Sequence, residues 1–175
     1  MLFRRSRSAS VQAPAQDRWH PLAELCRELG QAVALQDTAE RVIQGCAGGW
    51  PVDGCWSAEG APVVTELLRI SSRIGDITVL EQDSELKEDA CYLVLWHQAA
   101  LDRALRLAYT ADADAASEQE RTSLTGLGEP AAQLRRLHDE TLALLRAAKP
   151  APAPGAAGVV TSSSAPRAAA VSRPV

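Results

Sequence analysis

The stretch Ser84–Thr110, SELKEDACYLVLWHQAALDRALRLAYT, decides how the rest of the chain is read. Leu86, Ala90, Leu93, His97, Ala100, Ala104 and Leu107 recur at alternating intervals of four and three, the period of one helix face. Its middle, Cys91–Trp96, is apolar on every side, and a helix apolar all round is a buried one. The stretch is therefore expected to be a central helix covered by its neighbours. Asp83 or Ser84 is the expected cap. Glu85, Glu88 and Asp89 follow in the first turns, where the helix dipole favours acids.

Toward the N-terminus, Val63, Leu67, Ile70, Ile74 and Ile77 are spaced 4, 3, 4, 3. That is an a/d seam, the pattern of helices packing at shallow angles. Pro62 is expected to open this helix and Glu81 to Asp83 to end it near Leu80. The short connection to the central helix requires the two to run antiparallel. Earlier still, Leu22, Leu25, Leu29, Ala32, Gln36, Ala39, Ile43 and Cys46 form a stripe that predicts a helix over 21–47, opened by Trp19, His20 and Pro21. Asp37-Thr38-Ala39-Glu40 has capping-box spacing, which would instead split it in two. Residues 48–61 hold four glycines, Pro51, Trp50 and Trp56, and read as a loop.

Toward the C-terminus, a short helix is expected over 114–122, and Gly126 and Gly128 break it. Pro130 then opens a last helix with Leu134, Leu137, Thr141, Leu144 or Leu145, and Ala148 as its stripe, ended by Pro150. Four substantial helices predict an all-α fold, an up-down four-helix bundle over 18–149. Residues 1–17, a basic arm, and 150–175, rich in Pro, Ala and Ser, are expected to be disordered tails. The arm's Arg, Ser and Ala content also suits an organelle-targeting peptide.

Composition supports helices. Of 175 residues 46% are hydrophobic but 4% aromatic, so Leu, Ala and Val supply the apolar mass. Net charge is −4, and residues 18–149 hold 13 basic and 21 acidic side chains, a balance of −8. Such an acidic body argues against nucleic acid, whose phosphates need a cationic face. No stretch approaches the roughly 18 apolar residues of a membrane span. The apolar run of a secretory signal is missing behind Arg4 and Arg5, so Cys26, Cys46, Cys55 and Cys91 are expected to be reduced thiols of a cytoplasmic protein. On export, Cys46 and Cys55 could pair across the glycine-rich loop.

Few residues suggest chemistry. Helical bundles that hold two irons use Glu-x-x-His on two helices, and no such motif occurs. His20, His97 and His138 include no pair at helical spacing, and Cys91 and His97 point to different helix faces, so neither metal nor cofactor is expected. Phosphate-binding loops and nucleophile turns are also missing. Cys55, in the loop, is the candidate reactive thiol. His97, on the stripe beside Trp96, reads as a core histidine, with a ligand pocket lined by Trp96 and His97 as the functional alternative.

His138 stands in Arg135-Arg136-Leu137-His138-Asp139-Glu140, beside the last stripe. Leu-His-Asp within a helix resembles the phospho-accepting helix of one class of two-component histidine kinases. The resemblance implies that His138 accepts phosphate and Asp139 assists. That family's nucleotide-binding domain has no counterpart here, and the competing reading is a solvated helix face.

The expected function is non-enzymatic: a helical bundle that docks a protein partner or self-associates, with Trp50, Trp56 and the 63–77 coiled-coil-like seam as the surfaces to suspect. A phosphotransfer module using His138 and Asp139 is the alternative, and a small-ligand sensor the third.

Overall fold

The computed structural model describes residues 15–110 and 114–149. The described residues hold five α-helices and no strand: α1 (Ala15–Ala47), α2 (Cys55–Asp76), α3 (Ser84–Ala108), α4 (Ala115–Thr122) and α5 (Gly128–Ala148), with a short 3-10 turn at Glu81–Asp83. The predicted tails fall outside the described residues except for 15–17, which are already helical.

The helix at the N-terminus is unbroken, so the split at Asp37 does not occur. It starts before Pro21, which lies inside it. A proline there removes the hydrogen bond that would reach the Asp17 carbonyl. The turn preceding Pro21 is held instead by Arg18, which grips both oxygens of buried Asp83 at 2.9 and 2.6 Å. Asp83 is thereby diverted from the expected capping role and makes no cap bond to α3.

The largest departure concerns residues 48–61. The loop closes at Gly54, and α2 begins at Cys55. Asp53 accepts the Cys55 N–H with its side chain (2.9 Å) and the Trp56 N–H with its carbonyl (3.1 Å). Gly60, read as a loop residue, and Pro62, expected to open the helix, are both interior to α2. Gly60 is where three helices converge: a Cβ there would come within 2.7 Å of Leu105 and 3.0 Å of Val42. The helix stops at Asp76 rather than near Leu80, with Ile77 extended. Lys87 Nζ ends it, donating to the carbonyls of Gly75 and Ile77 at 2.7 Å each. A cation there suits the negative end of the helix.

All five seam residues, Val63 to Ile77, are buried. α1 packs against α2, α3 and α5, α3 against α1, α2 and α5, and α2 and α5 do not approach each other. Contacts give the directions. Arg41 meets Glu59 and Glu28 meets Arg73, so α1 and α2 are antiparallel. Cys91 meets Ser71 and Lys87 meets Gly75, so α2 and α3 are antiparallel. Gln36 bonds Ala131 while Gly30 abuts His138, so α1 and α5 are antiparallel too. Arg18 with Asp83 and Gln36 with His97 make α1 and α3 parallel.

The expectation for α3 itself needs correction. Its inner face is buried from Ala90 to Leu107, but Tyr92 is 66% and Leu95 44% exposed. Neighbours cover three sides of α3 and leave the outer one open, so the all-round apolar stretch is not all-round buried.

Candidate functional site

The two loop-region tryptophans occupy separate places. Trp50 Nε1 donates to Glu118 Oε2 at 3.2 Å, tying the loop to α4. Arg121 holds Glu118 from the same helix and reaches the Ala47 carbonyl at the end of α1. Its bonding to Arg121, and secondarily to Trp50, keeps the Glu118 carboxyl below its ordinary range. Trp56, on α2, lies over Gly45 so closely that a Cβ at Gly45 would overlap the indole ring. It is half-buried against the core. Both side chains are thus engaged within the chain.

His138 sits on α5 facing α1. A Cβ on Gly30 would lie 3.3 Å from its Nε2, so this nitrogen points into the notch that Gly30 leaves. Its Nδ1 is 3.8 Å from Asp139 Oδ1, beyond hydrogen-bonding distance, and Asp139 itself is well exposed.

His97 is 1% exposed. Its Nδ1 lies 2.6 Å from the Leu93 carbonyl, which accepts its proton, and Nε2 is left to accept from Gln36 Nε2–H at 3.1 Å. Gln36 gives its other N–H to the Ala131 carbonyl (3.0 Å), and Gln36 Oε1 is buried with no partner. Desolvation, against the help of the Leu93 carbonyl, holds His97 below its ordinary pKa of 6.5, and Arg135 adds to the fall. Trp96 meets its ring edge-on, centroids 5.6 Å apart. Both ring nitrogens are in use, as befits a core histidine.

All four cysteines are free thiols. Burial pushes Cys46 up to about 11, with Cys55 adding to the effect. Cys55 is exposed, but desolvation and the carboxylates of Asp53 and Glu59 raise it as well. A raised pKa lowers the thiolate fraction, the reverse of what activates a cysteine. Among the described residues no three His, Cys, Asp or Glu side chains cluster as metal ligands, and no helix is long and apolar enough to cross a membrane.

Sequence reasoning passed over two features. Glu28, 1% exposed, has Oε2 bound by Arg73 Nε at 2.7 Å and Oε1 by Arg27 at 2.9 Å. Its place between Leu25 and Leu29 on the buried side of α1 was the available signal. The second is the outer side of the α2–α3 pair. Cys91 Sγ donates to the Ser71 carbonyl at 3.8 Å, and Gly60 packs on Leu105. That register puts Leu68 (47% exposed) level with Leu95 (44% exposed), and Tyr92 one turn away. The signal was present: Glu88, Tyr92, Leu95, Ala99, Asp102 and Arg106 repeat the 4, 3 spacing on the side of α3 opposite its buried stripe.

The described residues form an all-helical protein with Leu68, Tyr92 and Leu95 exposed on two neighbouring helices. Compared with protein-family models, with curated proteins and with solved structures, the chain matches none.

Proposed function

We propose that the four long helices form an up-down bundle, with α4 an added element, and that this bundle, residues 18–149, is a non-enzymatic protein-interaction module. The observation that carries the reading is the pair Leu68 and Leu95, large aliphatic side chains nearly half exposed at one level of adjacent helices, with Tyr92 beside them. Scattered apolar residues are ordinary on a surface, whereas a contiguous set marks a contact site. Supporting the non-enzymatic part, both His97 nitrogens are bonded inside the core, His138 Nε2 abuts Gly30, and every thiol is pushed up. Reduced thiols and an acidic body suit a cytoplasmic protein with a protein partner.

The test is co-purification with a tagged full-length chain, wild type against Leu68→Lys/Leu95→Lys, in cells that also express an untagged copy. The expected result is a partner, the untagged copy or another protein, held by the wild type and lost from the variant at unchanged helix content. Identical retention by both would overturn the reading.

A further inference from the structure

We propose that a second copy of this chain docks on the outer side of α3, the two α3 helices crossing antiparallel about a twofold axis that passes between Leu95 and Ala99, on the side of α3 opposite His97. This inference rests on the interaction-module reading above and names its partner and contact residues. The stripe runs Glu88, Tyr92, Leu95, Ala99, Asp102 and Arg106, with its apolar members in the middle and opposite charges at its ends. Tyr92, Leu95, Ala99, Glu88 and Arg106 are all exposed, and Asp102 is partly so. An alternating 4, 3 stripe is what a helix needs to place knobs into holes of another helix.

The charge order selects both the partner and its direction. A parallel copy would set Glu88 against Glu88 and Arg106 against Arg106, like charges that oppose docking. An antiparallel copy sets Glu88 against the other copy's Arg106, Tyr92 against its Asp102, and Leu95 against its Ala99. The small Ala99 leaves room for the Leu95 knob, and the Tyr92 hydroxyl has a carboxylate to donate to. A twofold contact repeats each of these pairs, so the seam is complementary to itself. In the single chain Arg106 lies on Asp102 at 2.9 Å, an exposed pair that exchanges partners at little cost. Leu68, level with Leu95 on α2, widens the apolar centre. The seam spans about 27 Å of helix. One helix pair makes a small interface, so the dimer is expected to be weak and reversible.

Glu88 near the start of α3 and Arg106 near its end would also suit the helix dipole of a lone chain. The experiment therefore uses charge reversal. Light scattering on the full chain, followed up to about 500 µM, should show the mass rising from 18.6 kDa toward twice that value. Glu88→Arg and Arg106→Glu should each weaken the dimer by about tenfold, and Glu88→Arg/Arg106→Glu should restore it. Leu95→Lys should leave a monomer, all at unchanged helix content. A dipole role would make the double reversal the worst of the three. A chain monomeric throughout, or a dimer not restored by the double reversal, overturns the proposal. Loss of a different co-purifying protein from Leu68→Lys/Leu95→Lys, with a monomeric wild type, would overturn the second copy while leaving the interaction reading in place.

Discussion

Gln36 of α1 and His97 of α3 meet in the core, amide nitrogen to ring nitrogen at 3.1 Å, and the arrangement requires a neutral imidazole. The Leu93 carbonyl, 2.6 Å away, takes the Nδ1 proton, so Nε2 must offer a lone pair to the Gln36 N–H. A second proton on His97 would put two donors face to face. Turning the amide to offer Oε1 would give up the bond to Ala131 O.

A pH dependence follows, with a definite sign. The folded-state pKa of His97 lies below its ordinary 6.5, so the unfolded chain binds this proton more readily. Stability from the neutral ring is complete above about pH 6.5 and falls as pH drops from there toward the folded pKa. Chemical denaturation at pH 7.5 and 5.0 should show a loss for the wild type. His97→Gln should lose less over the same interval, and an equal loss would remove His97 as the cause.

Glu28 and Arg73 make a buried half and an exposed half of one ion pair, with Arg27 on the other carboxylate oxygen. Removing Arg73 leaves the buried acid with Arg27 alone and with Oε2 unpaired. Arg73→Met is expected to cost about 1–3 kcal/mol, below the cost of breaking a fully buried pair because Arg73 is 40% exposed. Adding Glu28→Gln should recover part of that loss. Urea titration of the two variants checks this, and a double variant weaker than Arg73→Met contradicts it.

Glu40 of α1 caps a different helix. Its Oε2 accepts the Leu127 N–H at 2.6 Å, at the entry to α5, and its Oε1 accepts from Gln44. Glu40→Ala should cost about 0.5–2 kcal/mol, as loss of a cap does. Gly126→Ala should cost at least as much, since Gly126 has φ +80° and a Cβ there would overlap the Glu40 carboxylate. Thermal melts of both variants measure this. Glu40→Gln, which keeps an acceptor oxygen, should fall between wild type and Glu40→Ala.

Trp56 fills the space that Gly45 leaves. Trp56→Ala is therefore expected to cost about 2–4 kcal/mol, below the full value for a buried aromatic because the ring is half-buried. Gly45→Ala should also destabilise, by forcing the ring off α1. A Trp56→Ala variant with unchanged stability would return this side chain to the list of contact residues.

What could be read directly from the chain was periodic. The 4, 3 spacing of Val63 to Ile77, the stripe from Leu22 to Cys46 and the inner face of α3 all mark faces that are buried in the fold. Burial on a helix follows a fixed period, so local order along the chain is enough to find it. Tertiary structure decided what depends on a distant partner. Gly60 looks like a loop residue until Val42 and Leu105 close on it from two other helices, and Pro62 looks like the start of a helix that begins at Cys55. Asp83 resembles a cap until Arg18, 65 positions away, claims it. Glu40 resembles the end of a capping box in α1, yet it holds the start of α5. The run Cys91–Trp96 is apolar on all sides, but a helix is buried only where neighbours reach it. Three long helices share the core with α3, and all of them approach from the inner side and flanks. Leu95 and Tyr92 are left outside because hydrophobicity is a property of the residue, whereas coverage depends on how many elements the chain can pack around one axis.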